Sequence, residues 1–382
     1  MRILLVANYE PDAQESMLRY AFWLQRTLKE RGHQINVTAP EPFFSKFARR
    51  QGLKKYLGYL DKFLLFPRQL RRMAQTCDLV HVLDHSNSMY LRGVRERASL
   101  ITCHDVLAIR AARGEFPQVS VALSGQLLQR WILSGLRSAP HIVCDSAKTA
   151  KDLMALTGKQ GDRHQQIGQL RVIHVPLNWG YRPGAPFPPG FVSRLGLKAG
   201  ECYFLHVGGN QWYKNRAGVL RIFARLIEQD ALSTSKLIMV GKTWTEEMLD
   251  VIREERIADR VIQAVGVSNE ELQALYGNSL ALLFPSLEEG FGWPILEAQA
   301  CGCPVITSFR EPMSEVAGDA AILIDPEDFR GAAAIIGEGL QDSQRLRAAG
   351  FRNLSRFSDK AITDEYCAYY EEIIRIASAS MS

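Results

Sequence analysis

The sequence predicts an α/β protein made of two doubly wound, parallel-sheet domains in tandem. Three observations carry that prediction. Short apolar runs recur along the chain, each followed by a longer segment of helical period. The 382 residues exceed one ordinary domain and suit two. A proline-rich break, PGAPFPP at 183–189, divides the chain near its middle.

In the first half the apolar runs are Ile3–Ala7, Ile35–Ala39, Leu79–Leu83, Leu100–Cys103 and Ile142–Cys144. In the second they are Tyr203–Val207, Leu237–Val240, Val261–Val265, Ala281–Phe284, Val305–Thr307 and Ala321–Ile324. Strands that stay apolar on both sides belong to parallel sheets covered by helices on both faces. The prolines at 183–189 fix φ and lack an N–H, so neither helix nor strand runs through that linker. The expected organisation is a first domain at 1–182, a second at 183–361 and a terminal helix in 362–382. Ile362, Tyr366, Tyr369, Tyr370, Ile373 and Ile374 form one stripe of that helix. A stripe of this kind needs a surface to bury against, and the expected one is the first domain. Ligands are expected at the carboxyl ends of the strands and in a cleft between the two domains.

Composition narrows the classes. Apolar residues make up 47% and charged residues 23%, which excludes disordered, collagenous and disulfide-scaffold proteins. No apolar run reaches the length of a membrane-spanning helix, about 18 residues. The N-terminus, MRILLVANYEPD, turns polar too soon for a secretory signal. The seven cysteines, without CxxC pairs, read as buried reduced thiols of a cytoplasmic protein. No GxGxxG follows the first strand and no GxxxxGK[ST] occurs, which argues against a nicotinamide dehydrogenase and a P-loop NTPase.

Charge is uneven. Residues 1–180 hold 26 basic and 14 acidic side chains, and residues 181–382 hold 20 and 27. The basic excess concentrates at 46–72, where nine Lys or Arg alternate with Phe47, Leu57, Leu60, Phe63, Leu64 and Phe66 around a single acid, Asp61. Such a segment fits either an anionic membrane surface or a solvated helix with one face on its own domain. Nucleic acid is not an expected partner, because no zinc-finger, helix-turn-helix or RNA-binding signature accompanies the patch.

The richest stretch is LFPSLEEGFGWPILEAQACGCP at 283–304. An apolar strand ends at Pro285, a loop with Gly290 and Gly292 follows, and Pro294 stands at the expected first helical position. Glu297 is expected in the first helical turn, and Gly302 and Pro304 stop the helix. Glu289 and Glu297 thus flank a helix N-terminus whose N–H groups and dipole suit a diphosphate. Glycines let backbone approach a ligand, and each carboxylate can accept bonds from vicinal hydroxyls. Together these features describe a site for a nucleoside diphosphate carrying a sugar.

In this stretch the sequence resembles the retaining glycosyltransferases of family 4, whose fold is GT-B: two Rossmann-like domains facing across a cleft. The resemblance rests on PSLEEGFGWPILEAQACGCPVI, with its Glu, seven residues, Glu spacing. It extends to VGVSNEELQALYGNSLALLFPS, EPMSEVAGDAAILIDPED and HVGGNQWYKN. In the first half CHDV at 103–106 and IVCDSAKTAKDL at 142–153 are similar to the family's strand-end segments.

The resemblance implies roles. Glu297 would bind the ribose hydroxyls and Glu289 would sit at the transferred sugar. The backbone N–H groups of Gly290, Phe291 and Gly292 would hold sugar hydroxyls, and those from Trp293 through Pro294 to Ile295 would reach the phosphate end. Lys214, after the turn of Gly208 and Gly209, would neutralise the departing diphosphate. His104 would lie near the sugar from the opposite domain, so that His104, Glu289 and Lys214 form the catalytic set. Many members carry an arginine soon after the glycine turn. Here Gly209 and Asn210 stand there, so a second cation has to come from elsewhere, with Arg216 a candidate. Many members also have a glycine pair in the first strand–helix loop, where this chain has Gln14, Glu15 and Ser16. Those three, with His85 and Asp105, are the expected acceptor side.

No metal and no cofactor are expected: Asp-x-Asp is absent, and the His81 and His85 spacing falls at a strand end, where it does not pair two imidazoles. Retaining chemistry of this family is described as front-face displacement, in which the leaving phosphate helps to deprotonate the acceptor. The expected activity is hexosyl transfer, with GDP-mannose the first candidate donor, to a saccharide or lipid-linked saccharide in cell-surface polysaccharide or glycolipid synthesis. The expected location is the cytoplasm, peripheral at the inner face of the membrane. Rival readings are a nucleotide-sugar hydrolase or epimerase, and a weakly catalytic scaffold subunit of a membrane synthase.

Overall fold

The computed structural model describes residues 1–12, 14–47, 57–157, 170–177, 179–198 and 200–379. They form two compact units, Met1–Asn178 with Asp359–Ser382, and Trp179–Ser358. The first unit ends four residues short of the expected 182 and regains the chain at Asp359. The proline-rich segment 183–189 accordingly belongs to the second unit, not to a free linker.

The first unit is built on a six-stranded, all-parallel sheet of order β2-β1-β3-β4-β5-β6. The strands are β1 (Arg2–Val6), β2 (Gln34–Thr38), β3 (Leu79–Val82), β4 (Ala98–Cys103), β5 (Ile142–Cys144) and β6 (Leu170–Val172). The central strands read apolar on both sides because both sides are covered, and Leu4, Val80, Val82 and Ile101 are fully buried. Strand β6 is an addition to the expected set. Its three residues, one of them Arg171, sit half-exposed at the sheet edge and leave no apolar run to read.

The helix Asp359–Ala379 belongs to this unit. Its stripe of Ile362, Tyr366, Tyr369, Tyr370 and Ile373 is buried. Tyr366 shares a 2.7 Å hydrogen bond with Tyr20 of the helix Glu15–Glu30, and Arg26 donates to Asp359 at 2.8 Å. His81 of β3 lies beneath, between Tyr370 at 2.7 Å and Thr102 at 2.8 Å. Burial, helped by the charge of His104, lowers the His81 pKa to about 3, so the ring is neutral and serves packing. No described helix is long and apolar enough to cross a membrane.

Part of the basic segment 46–72 is described; residues 48–56 lie outside the described residues. Asp61 is buried and takes bonds from the Phe44 N–H at 2.7 Å and the Tyr9 hydroxyl at 3.1 Å, which anchors the segment. The helix Phe66–Ala74 buries Phe66, Leu70 and Ala74 and exposes Arg68, Arg71 and Arg72. Leu60 and Leu64 are exposed, and so are Leu123 and Leu127 on the helix Leu123–Arg137. Phe63 and Trp131 join these two surfaces, with ring centroids 4.8 Å apart.

The second unit carries a second all-parallel sheet, of order β12-β11-β10-β7-β8-β9. Its strands are β7 (Tyr203–Gly208), β8 (Lys236–Gly241), β9 (Val261–Ala264), β10 (Ala281–Phe284), β11 (Val305–Ser308) and β12 (Ala321–Ile324). The order reverses between β7 and β10, and in the first unit between β1 and β3. Crevices outside the carboxyl ends of such strand pairs are where doubly wound sheets take ligands.

Candidate active site

The segment after β7 and the loop after β10 meet at the switch point of the second unit. Asn215 follows Lys214 with φ of 51°, a left-handed backbone that asparagine tolerates better than most residues. Its side-chain amide donates to the carbonyls of Pro285 and Pro326, both at 3.0 Å, and the Leu287 N–H donates to the Tyr213 carbonyl at 2.8 Å. This lacing aims Lys214 across the switch point. Its Nζ lies 2.7 Å from Glu289 Oε1, which also accepts the Ser286 hydroxyl at 2.9 Å. The ammonium lies 5.2 Å from the centre of the Phe284 ring, whose face favours a cation. The two catalytic residues expected in this unit are therefore in direct contact, with Glu289 only 8% exposed.

The helix after the glycine loop spans Trp293–Ala300, capped by Gly292 at φ of 103°. A side chain at that φ would be strained, which is the reason for glycine there. The helix begins one residue before Pro294, so Pro294 is its second residue and Glu297 falls in the second turn rather than the first. Glu297 is 5% exposed and accepts the Tyr276 hydroxyl at 2.8 Å. Burial and the Glu297 charge push the Tyr276 hydroxyl far up, so it stays a donor. The expected use of N–H groups from Trp293 to Ile295 needs correction. Pro294 has none, and the Ile295 N–H is taken by the Gly292 carbonyl at 3.0 Å.

Beside Gly208 and Gly209 sit two groups of unusual environment. Arg216, 5% exposed, donates through Nη1 to the Lys242 carbonyl at 2.9 Å and to Asn210, while its Nε and Nη2 have no partner. His206 donates from Nδ1 to the Leu283 carbonyl at 3.0 Å, and its Nε2 is buried without a partner. Burial lowers its pKa to about 3, so this ring is neutral. The sequence marked Arg216 as the alternative cation and missed His206 and Asn215. A histidine inside an apolar strand run carries no signal of its own. Close backbone packing also fixes Gly241, where a Cβ would stand 2.0 Å from the Gly208 carbonyl oxygen.

In the first unit, His104 follows β4. Its Nδ1 lies 2.6 Å from Asp145 and its Nε2 2.8 Å from the Leu83 carbonyl. Burial alone would lower its pKa, but the Asp145 carboxylate overrides that, with Asp84 and the Leu83 carbonyl, and raises it to about 9. At neutral pH the ring is an imidazolium donating both protons internally. It supplies positive charge and position, and it has no nitrogen left to act as a base. A cavity of about 520 Å³ opens beside it, lined by Gln14, Ser16, His85, Asp105 and His104 together with Gln129. Four of the five acceptor-side residues thus share one cavity with His104. The side chain of Glu15 lies outside the described residues. Asp105 also accepts the Leu107 N–H at 2.9 Å and starts the helix Leu107–Ala112. Among the described residues no three His, Cys, Asp or Glu side chains are grouped to hold a metal ion.

The chain superimposes on sucrose-phosphate synthase from Thermosynechococcus elongatus with a TM-score of 0.70 at 17% identity, covering 98% of this chain and 100% of that one. That likeness shows the GT-B fold. Residues 192–353 match the family model described as Glycosyl transferases group 1. Residues 192–353 are a glycosyl transferases group 1 domain on this fold. The group 1 domain contains Lys214, Glu289 and Glu297, and with them the whole switch point of the second unit. The chain is 28% identical to O-antigen chain mannosyltransferase B of Escherichia coli over 295 residues, 77% of this chain and 74% of that one. It is 33% identical to the O-antigen chain mannosyltransferase RfbU of Salmonella typhimurium over 132 residues, 34% of this chain and 36% of that one.

Proposed function

We propose that this chain moves a hexose from a nucleoside-diphosphate sugar to a hydroxyl of a saccharide or lipid-linked saccharide, with retention of configuration and without a metal. The observation that carries the reading is the Lys214–Glu289 pair across the switch point of the second unit. In the loaded state Lys214 exchanges Glu289 for the diphosphate, with the unpartnered guanidinium nitrogens of Arg216 as the second source of positive charge. Glu289 is then left to the hydroxyls of the transferred sugar, and Glu297 takes the ribose. The bond from the sugar's anomeric carbon to the diphosphate breaks, the acceptor oxygen bonds to that carbon from the same face, and the acceptor proton passes to the departing phosphate. The protein supplies position and charge, with His104 held as a fixed cation in the first unit.

GDP-mannose is the first donor to test, since two relatives are named as O-antigen mannosyltransferases. The proposed setting is cell-surface polysaccharide synthesis in the cytoplasm. Attachment to anionic membrane is proposed through the exposed arginines of Phe66–Ala74 and the neighbouring Leu60, Leu64, Leu123 and Leu127. Co-sedimentation with anionic vesicles tests that attachment, and binding that salt does not weaken, or no binding, contradicts it.

The test of the activity is a panel of nucleotide sugars with a saccharide acceptor, read by proton NMR of the product. Transfer with the donor's anomeric configuration supports the proposal. Sugar released at full rate without acceptor would make the chain a hydrolase instead, and an inverted product would overturn the retaining chemistry.

A further inference from the structure

We propose that a second cavity of the first unit binds the neutral sugar residue preceding the one that reacts, so that the acceptor is an oligosaccharide and not a single sugar. This rests on the transfer reading above. The cavity holds about 470 Å³ at the carboxyl ends of β1 and β3. It shares Gln14, Ser86, Gln129 and Ile132 with the cavity beside His104. Two cavities with common walls are consecutive stations of one groove, each of a size usual for a small-molecule site, about 300–1,000 Å³.

The walls of the second cavity suit a pyranose. Tyr59 and Phe63 stack with centroids 5.7 Å apart, and the Tyr9 hydroxyl is tied to Ser45 at 2.6 Å, which fixes its ring. The Lys62 ammonium lies over the Tyr9 and Tyr59 rings, 4.9 and 5.9 Å from their centres, and the polarised C–H face of a sugar ring competes for the same electron-rich faces. Among the described lining residues the charged ones are Lys62 and Asp12, and they form an ion pair. The pair is neutral overall and offers a donor next to an acceptor, which matches hydroxyls and gives an anionic sugar no surplus cation. Asn8 is already committed, donating to Gln14 and to Asp84 at 2.5 Å and accepting from Asn87 at 3.0 Å, so this wall is set before a ligand arrives. On the wall common to both cavities, Gln129 Oε1 is buried without a hydrogen-bond partner. A buried carbonyl oxygen without a donor is costly, so turning this amide to present Oε1 to an acceptor hydroxyl breaks no hydrogen bond of that oxygen.

The experiment titrates the full chain calorimetrically with methyl α-mannoside and its α-linked di- and trisaccharides, chosen as neutral probes. The disaccharide is expected to bind about tenfold more tightly than the monosaccharide, the gain of one stacked ring. Tyr59→Ala is expected to abolish that ratio, and Gln129→Leu to weaken the disaccharide about fivefold. Thermal melting checks that each variant is folded, with Phe63→Leu in reserve should Tyr59→Ala unfold. Equal affinity for mono- and disaccharide, an unchanged ratio in Tyr59→Ala, or tighter binding of a disaccharide ending in a uronic acid each overturns the subsite. Transfer from a nucleotide sugar to monosaccharide and disaccharide with the same KM overturns the subsite and leaves the transfer reading standing. Failure to consume any nucleotide sugar, with any acceptor, sinks the transfer reading and the subsite with it.

Discussion

Lys214 and Glu289, 75 residues apart in sequence, touch through a 2.7 Å contact between Nζ and Oε1 in the crevice outside the carboxyl ends of the paired strands β7 and β10. Each comes from a different loop, and each loop is tied to the other through Asn215 and Leu287. The pair is largely out of water, so either partner alone leaves a charge without compensation. Lys214→Ala is therefore expected to unfold at lower denaturant than the double variant Lys214→Met, Glu289→Gln. The same Lys214→Ala should lose about 10²–10³ in kcat/KM, the loss typical of removing one group that faces developing charge. Urea unfolding and initial-rate kinetics read the two effects separately.

Arg216 gives a sharper contrast between structure and function. Its Nε and Nη2 are buried and unpartnered, and burial lowers its pKa. Arg216→Met removes a desolvated charge and keeps most of the volume, but it also removes the Nη1 bonds to the Lys242 carbonyl and Asn210; the two effects oppose, so stability should change by no more than about 1 kcal/mol. Affinity for a nucleoside diphosphate should fall about tenfold, the loss of one charge-assisted contact. Unchanged affinity in a folded Arg216→Met would remove Arg216 from the site.

Tyr276 orients Glu297. Tyr276→Phe deletes the 2.8 Å bond to a buried carboxylate, which should cost about 2 kcal/mol of stability. It should also weaken the donor about fivefold, because Glu297 loses a fixed direction. Chemical denaturation and donor titration of the same preparation check both.

The His104 imidazolium sets a pH dependence. Its pKa in the folded chain is about 9, above the ordinary value near 6.5, so folding binds the proton more tightly. That contribution is fully present below about pH 6.5 and is lost as pH rises through about 9. It amounts to roughly 3 kcal/mol. Urea midpoints of the native chain should fall between pH 6.5 and 9 by more than those of His104→Gln. Equal slopes would show that His104 is not held as a cation.

The parallel sheets and the C-terminal helix were legible because their signals are local. Apolar strands reveal burial on both faces, and the tyrosine stripe reveals a face that must be covered. The glycine loop and its two glutamates were legible for the same reason, since Gly292 answers a backbone demand at one position. Three features were not legible. The boundary at 178 rather than 182 follows from where segments pack, and prolines at 183–189 can lie on a folded unit as well as between units. The internal engagement of His104 depends on Asp145, 41 residues away. The one-residue shift at Pro294, which moves Glu297 into the second turn, depends on a cap geometry that Gly292 and Trp293 set together.

Whether the loop before Trp293–Ala300 holds a nucleotide sugar is read by calorimetric titration of GDP-mannose, then of other nucleotide sugars, into the native chain and into Glu297→Ala. One nucleotide sugar is expected to bind saturably to the native chain, and Glu297→Ala to weaken that binding at least about tenfold. A panel in which none binds, or a Glu297→Ala variant that binds as tightly as the native chain, would contradict a nucleotide-sugar site there.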